Sequence, residues 1–203
     1  MRYTPQTKRL EHVDAVVRDL LTALPATLIY HKADHTLHPV DGVVAAAHRI
    51  GTLEGITSAD AELVETAAYF HDTGYLVTPI KNEPIGADYA AKLLPGLGYS
   101  SDEITVIRDL ILVTDLALAP KTHLERILRD ADVENLGRAD FFEKSDALRR
   151  EYGITDKAAW VKGSIGFLTS HKWYTVSANS LLGPEKRRNL LELQKMASYG
   201  RAA

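Results

Sequence analysis

Histidine and aspartate are the side chains of this sequence that could do chemistry. His31, His35 and His38 lie within one short segment, YHKADHTLHPV, and His71 adjoins Asp72. Histidine is the commonest metal ligand and the usual acid or base near neutral pH. A divalent cation needs several nitrogen and oxygen ligands from different elements, with one position left for water. His35, His71, Asp72 and a later aspartate could provide such a set.

The later aspartate lies in the triplet Asp-Ala-Asp at 130–132. Successive residues of a helix differ in direction by about 100°, so the two carboxylates of the triplet point to different sides. Only one of them should enter a shared site, and the spacing leaves open whether it is Asp130 or Asp132. The same angle lets His71 and Asp72 reach one ion only where the ion lies beyond the end of their helix.

The composition excludes several other kinds of chemistry. The 203 residues include no cysteine, so there is no thiolate zinc site, no disulfide and no thiol nucleophile. Lysine and arginine together number 24 against 27 acidic residues, which gives a net charge of -3. Binding of duplex nucleic acid depends on clustered positive charge, so no duplex nucleic acid partner is expected. Small phosphorylated ligands remain compatible with this charge balance.

Neither the N-terminal residues nor the longest apolar stretch indicates a secreted or membrane protein, because charged residues interrupt both. The first residues mix basic and acidic side chains before any apolar run, unlike a signal peptide. The longest apolar stretch, ITVIRDLILVTDLALA, contains Arg108, Asp109 and Asp115. A membrane span needs about 20 apolar residues, and this stretch is well short of that. We therefore expect a soluble, cytoplasmic protein with no membrane partner.

The elements that must position these residues are predicted to be helices. Apolar residues recur at helical spacing, and no stretch alternates with period two, which predicts an all-α fold. The predicted helices cover 10–24, 39–50, 57–72, 86–94, 100–114, 122–132, 139–152, 156–181 and 185–199. Pro184 suits the first turn of the last helix, and Gly163 and Gly166 make 156–181 the segment most prone to break. His71 and Asp72 then fall at one helix end and Asp132 at another.

Three segments in order, YHKADHT, YFHDTG and RDADVENLG, resemble the metal-dependent HD phosphohydrolase superfamily. The segments IGADYAAKLLPGLGYS, LRDADVENLGRADFF and WVKGSIGFLTSHKWYT are similar to one bacterial subgroup of predicted HD hydrolases. The superfamily order of His, His-Asp and Asp is matched by His35, His71, Asp72 and Asp132. The resemblance implies that these four residues bind the metal and that Asp132 is the ligand of the triplet.

The resemblance also implies a fold and an activity. The fold would be a single HD-type helical bundle over 1–203, with the metal-binding segments in 31–132 and a helical C-terminal extension at 139–199. The activity would be a phosphohydrolase whose metal activates a water to attack a small phosphomonoester or nucleotide. Two imidazoles and two carboxylates suit Mn, Fe, Ni, Zn or Mg, with Mn and Fe first. Asp72 would be required both for metal retention and for turnover.

The class I cyclic-nucleotide phosphodiesterase branch has a segment similar to YHxxxH, in which the first histidine donates a proton to the leaving oxygen. That similarity implies that His31 is the catalytic acid and His35 a ligand. Many two-metal HD enzymes, including the mixed-valent iron oxygenases, have more histidines before the last aspartate. Here His123 is the one histidine between Asp72 and Asp132. This departure favours a mononuclear site and argues against an oxygenase.

Three other functions remain alternatives at this point. They are a cyclic or linear nucleotide phosphodiesterase, a non-catalytic HD module that binds metal or nucleotide, and a helical interaction protein without metal. Glu83 is interpreted either as a carboxylate near the metal or as an exposed loop acid, and His48 as a solvated residue. The aromatic side chains of the C-terminal part are expected in the core: Trp160, Phe167, Trp173 and Tyr174. Basic side chains near the metal could bind phosphate, and the candidates are Lys81, Arg138, Arg149, Arg150, His171 and Lys172.

Overall fold

The computed structural model describes residues 2–199, which form ten α-helices and three short 3₁₀ helices without any strand. The helices are α1 (Lys8–Thr22), α2 (Ala33–Leu37), α3 (Val43–Leu53), α4 (Ser58–Phe70), α5 (Asn82–Leu93), α6 (Ser101–Leu112), α7 (His123–Asp132), α8 (Phe141–Glu151), α9 (Lys157–Ser170) and α10 (Val176–Tyr199). The 3₁₀ helices are Thr73–Leu76, Leu94–Leu97 and Glu134–Gly137. The all-α prediction is confirmed. Within the described range, no helix is both long and apolar enough to cross a membrane.

Helix α4 is the centre of the main core. It packs against α1, α3, α5, α6 and α7, so apolar side chains cover nearly all of its C-terminal half. Val64, Ala67, Tyr69 and Phe70 are each at most 2% exposed. Because helices surround this half of α4, polar side chains in it are buried as well, and Glu65 and Thr66 are at most 2% exposed. The end of α4, where His71 and Asp72 follow, is consequently held in the interior.

Local capping determines where several helices begin. Thr57 caps α4, and Ser100 and Thr122 form capping boxes at the starts of α6 and α7, the positions at which these three helices were predicted to begin. The second predicted helix begins at Val43 rather than at 39. A Cβ on Gly42 would lie 2.6 Å from the His38 backbone nitrogen, so a tight turn precedes α3 and separates it from the short α2.

The predicted division of the C-terminal part is wrong. The break lies at 171–175 instead of at 182–184, and α9 runs without interruption through Gly163 and Gly166. Helix α10 continues through Pro184, although a proline removes one hydrogen bond from a helix interior. Thr175 explains the position of the break, because its hydroxyl accepts from the backbone N–H of Ala178 in the first turn of α10.

A second, smaller core joins the C-terminal helices. It is formed by Leu136, Phe141, Leu168 and Leu193, which are each at most 5% exposed. Helix α10 also reaches the main core, where Ala178 and Leu182 are buried. The extension therefore packs against the part of the chain that carries the HD-like segments.

His171, in the break before α10, should make the stability of the protein depend on pH. Its Nδ1 lies 2.9 Å from Nζ of Lys186. Burial and the charge of Lys186 lower the pKa of His171 to about 4. The unfolded chain takes up a proton near pH 6.5, whereas the folded chain resists that proton until the pH approaches 4. The free energy of unfolding should therefore decrease as the pH falls from about 6.5 to about 4.

Urea unfolding between pH 4.5 and 7 of the wild type, of His171→Gln and of His12→Gln would measure this dependence. His12 is exposed on α1 and serves as the matched control. The slope should decrease in His171→Gln alone. An unchanged slope in that variant would show that His171 does not cause the dependence.

Candidate metal centre

Four side chains from three helix ends converge at one point. His35 lies in α2, His71 and Asp72 follow α4, and Asp132 is the last residue of α7. Nε2 of His71 lies 3.2 Å from Oδ2 of Asp72 and 3.4 Å from Oδ1 of Asp132. Nε2 of His35 lies 3.6 Å and 3.9 Å from the same two oxygens. Ligands of a tetrahedral ion at about 2.1 Å are separated by about 3.4 Å, so one small cation fits between these atoms.

The hydrogen bonds of His71 direct one ring nitrogen towards this point. Nδ1 donates to the carbonyl oxygen of Ala68 at 2.7 Å, which leaves Nε2 facing the carboxylates. His71 Nε2 and Asp72 Oδ2 are both buried without a hydrogen-bond partner among the described residues. Such buried groups cost about 1–3 kcal/mol each when unsatisfied, and a bound metal ion would satisfy both. The donor set therefore fits a divalent metal.

The electrostatics of the cluster also favour a cation. Burial opposes ionisation of Asp72 and Asp132, but the neighbouring imidazoles outweigh it and lower the pKa of each carboxyl. Burial lowers the pKa of His35, which keeps this ring neutral. The two carboxylates raise the pKa of His71 in spite of its burial. Two buried negative charges thus attract either a proton on His71 or a metal ion, and the two compete.

Two glycines allow the chain to hold this geometry after α4. A Cβ on Gly74 would lie 1.9 Å from the carbonyl oxygen of Asn82. A Cβ on Gly86 would lie 2.9 Å from the carbonyl oxygen of Phe70. Backbone approaches this close exclude any side chain at these positions. The first turns of α5 are consequently pressed against the segment that carries His71 and Asp72.

The structure separates the two aspartates of the triplet. Asp132 points into the cluster, whereas Asp130 is fully buried on the opposite side of α7. Asp130 accepts hydrogen bonds from the backbone N–H of Tyr174 and from the N–H and hydroxyl of Thr175. Asp130 therefore anchors the break before α10, and Asp132 is the residue placed to bind the metal.

His31 lies beside the cluster and is held by a residue that sequence analysis missed. Its Nδ1 is 2.5 Å from Oε1 of Glu151, at the end of α8. The other carboxylate oxygen of Glu151 accepts from the backbone N–H of Ile29, Tyr30 and His31. No local pattern could have indicated Glu151, because it is 120 residues away along the chain.

The His31 ring is also fixed on its other side. Nε2 lies 3.1 Å from the hydroxyl of Tyr75, and the two rings stack at 4.3 Å between centroids. The centroids of His31 and His35 are 5.7 Å apart. His31 is thus close to the candidate metal centre while its own hydrogen bonds are made outside it.

Glu83, His48 and His38, which the sequence analysis also considered, lie outside the cluster of four side chains. Glu83, in the first turn of α5, is half-buried, and burial followed by the nearby charges of Asp115 and Asp132 raises its pKa. The prediction for His48 is wrong, because its Nδ1 lies 2.8 Å from the buried carboxylate of Glu65. His38 accepts from the backbone N–H of Asp41 in the turn before α3.

Two of the six basic candidates, Arg138 and Arg149, are neutralised by neighbouring carboxylates. Arg138 pairs with Asp140 at 2.7 Å and with Glu134 at 3.2 Å. Arg149 pairs with Asp146 at 2.8 Å and also donates to a backbone carbonyl. These two guanidinium groups are committed to structural contacts rather than directed towards a phosphate.

A cavity of about 560 Å³ adjoins the cluster and includes His31, His35 and Asp132 in its wall. Helices α8 and α9 supply much of the remaining wall. Trp160 and Phe167 line this cavity, and Phe167 is 38% exposed, so the prediction that they belong to a core stripe is wrong.

Comparisons with known proteins agree with this geometry. A sequence model of the HD domain family matches residues 33–135, just over half of the chain. The structure is similar to the crystal structure of a predicted HD superfamily hydrolase from an uncultured Thermotogales bacterium. The TM-score is 0.63 and the identity 18%, over 94% of this chain and 92% of the other. At this identity the likeness is evidence for the fold. A search of curated proteins found no match.

The two aspartates of α7 should respond differently to the same substitution. Asp132→Asn should lose most of the bound metal, because one of two anionic ligands is removed. In chelator its stability should also fall, because the neighbouring imidazoles stabilise the ionised form of Asp132, so the metal content is what separates the two variants. Asp130→Asn should retain the metal but lose about 1–3 kcal/mol of stability, because charge-assisted hydrogen bonds to Tyr174 and Thr175 are weakened.

Elemental analysis and urea unfolding in chelator would measure the two effects in parallel. Full metal content in Asp132→Asn would show that this carboxylate is not a ligand.

Proposed function

This chain belongs to the HD domain family, and from that premise we propose that it is a metal-dependent phosphohydrolase acting on a small phosphomonoester or nucleotide. One observation carries the proposal. His35, His71, Asp72 and Asp132 converge with two ionised carboxylates beside a cavity large enough for a small organic molecule. The Thermotogales protein of similar fold is described as a hydrolase, which supports the reaction class.

Each proposed ligand contributes one atom to the centre. His35 and His71 would bind through Nε2, and Asp72 and Asp132 through carboxylate oxygens. A divalent ion held there supplies a water of lowered pKa and a positive charge against a phosphoryl oxygen. Manganese and iron are the first candidates, followed by nickel, zinc and magnesium.

His31 is proposed to protonate the leaving oxygen of the substrate. Water adds to phosphorus and releases one proton to the solvent, and the bond between phosphorus and the alcohol oxygen breaks. The proton on Nε2 of His31 leaves its contact with the Tyr75 hydroxyl and passes to that oxygen, and the ring then regains a proton from the solvent. Glu151 holds Nδ1 and stabilises the positive charge of the protonated ring. Tyr75 stacks on the ring and restricts its rotation.

A second candidate function is hydrolysis of a cyclic or linear nucleotide diester. The position of His31 beside the cluster favours it, because a diester also needs a proton for its leaving oxygen. The two candidates share the same residues and differ only in the substrate. A substrate panel distinguishes them.

Asp72→Ala should abolish both metal retention and turnover, because it removes a buried anionic ligand of the metal. Protein purified without chelator would be analysed for metal and assayed on an aryl phosphate and a nucleotide panel with Mn, Mg, Ni or Zn. Asp109→Ala, at an exposed position of α6, is the matched control. We expect about one metal per chain and phosphate release in wild type and control.

Each other result has a defined meaning. An active, metal-replete Asp72→Ala would refute the proposal. Metal without turnover in the wild type would favour a non-catalytic module that binds metal or nucleotide. Absence of metal would favour a helical interaction protein.

His31→Gln should lower kcat by about 10²–10⁴-fold on an alkyl phosphate, because this leaving oxygen needs the proton. The loss should be much smaller on 4-nitrophenyl phosphate, whose leaving group is stable as an anion. Glu151→Gln should cause a partial loss with the same dependence on the leaving group. Metal content, measured in parallel, should be unchanged in both variants. Equal losses on the two esters would exclude His31 as the acid.

A further inference from the structure

We infer that the cavity beside the metal centre binds an apolar alcohol portion of the substrate, so that the preferred substrates are phosphoesters of alkyl or aryl alcohols with one phosphoryl group. The inference rests on the proposed function and specifies its substrate class. It follows from what lines the cavity and from what surrounds its opening.

The wall of the cavity is mostly apolar, and away from the metal centre its polar side chains include Asn135, Ser145 and Ser164. Its side chains from α8 and α9 include Phe141, Leu148, Trp160 and Leu168. Within the described part of the chain, the lining contains no lysine or arginine. A wall of this composition binds a ligand by removing apolar surface from water rather than by pairing charges.

Large apolar side chains remain exposed around the same cavity. Leu116 is 58% exposed, Tyr152 54% and Phe167 38%, and all three line it. Apolar surface gathered at a concave site usually marks the place where a ligand binds. These side chains come from three different parts of the chain, so the fold brings them together at one opening.

The same wall is poorly suited to a nucleoside polyphosphate. Several phosphates require lysine or arginine partners, and the guanidinium groups of Arg138 and Arg149 are already paired with carboxylates. A single phosphoryl group, neutralised at the metal centre, matches the available charge.

A series of n-alkyl phosphates from methyl to octyl would test the inference. Burial of one methylene contributes about 0.8 kcal/mol, which corresponds to about a fourfold change in kcat/KM. We expect kcat/KM to rise by about threefold to fourfold per methylene until the cavity is filled. ATP should be a poorer substrate than octyl phosphate.

Glycine positions in α9 provide a matched pair of variants. A Cβ on Gly163 or on Gly166 would meet no atom within 4 Å, so both sites accept a side chain. Gly163 lines the cavity, and Gly166 is outside the lining. Gly163→Leu should lower the ratio of kcat/KM for octyl to methyl phosphate by at least about tenfold, because it removes room for several methylenes. Gly166→Leu should leave that ratio unchanged.

Binding of n-alkyl phosphonates, which are not hydrolysed, would be measured by calorimetry as a readout independent of turnover. Affinity that rises with chain length, and falls in Gly163→Leu alone, supports the inference. If no ester in the series is hydrolysed but this affinity pattern holds, the proposed function fails while the apolar site stands. If methyl and octyl phosphates react equally, or ATP is preferred, the inference is overturned and the hydrolase stands.

Discussion

Two ionised carboxylates, of the buried Asp72 and the partly buried Asp132, lie next to two imidazoles, and much of the structure keeps them there. Like charges in a low-dielectric interior repel unless a cation lies between them. Nδ1 of His71 is hydrogen-bonded to the Ala68 carbonyl oxygen, so Nε2 faces the carboxylates. Nε2 can either carry a proton or bind a metal ion. The two carboxylates are therefore stable only beside a positive charge, either a proton on His71 or a bound cation. This makes the cluster suitable for a divalent ion.

The helices around the cluster follow from this constraint. The C-terminal half of helix α4 is buried and ends in the interior, so His71 and Asp72 are largely shielded from bulk water. Gly74 and Gly86 then let the following segment pack at backbone distance against that end. Helix α7 is amphipathic and directs one aspartate to the cluster and the other to the C-terminal extension. A single helix thereby connects the candidate metal centre with the anchor of α10.

The C-terminal extension supplies Glu151 and most of the cavity wall, which lie outside the region that matches the HD family. Residues 33–135 contain the four proposed ligands, but Glu151 and most of the cavity wall lie beyond them. Helix α8 orients His31 through Glu151, and α9 covers the cavity with Trp160 and Phe167. The four proposed metal ligands and most of the wall of the proposed substrate cavity thus lie in different parts of one chain.

The sequence by itself determined the all-α class, the capped helix starts at Thr57, Ser100 and Thr122, and the four proposed ligands. Caps and apolar periodicity act within a few residues, so they can be predicted from neighbours in the chain. The order of His, His-Asp and Asp is likewise a property of the chain.

Only the tertiary structure decided the direction of Asp130, the break before α10, the contacts of Glu151 and the exposure of Phe167. Each depends on a contact between distant segments: Asp130 with Thr175, and Glu151 with His31. Hydrogen bonds and burial across such separations override local propensity, which is why Pro184 lies inside a helix while the glycines of α9 cause no break.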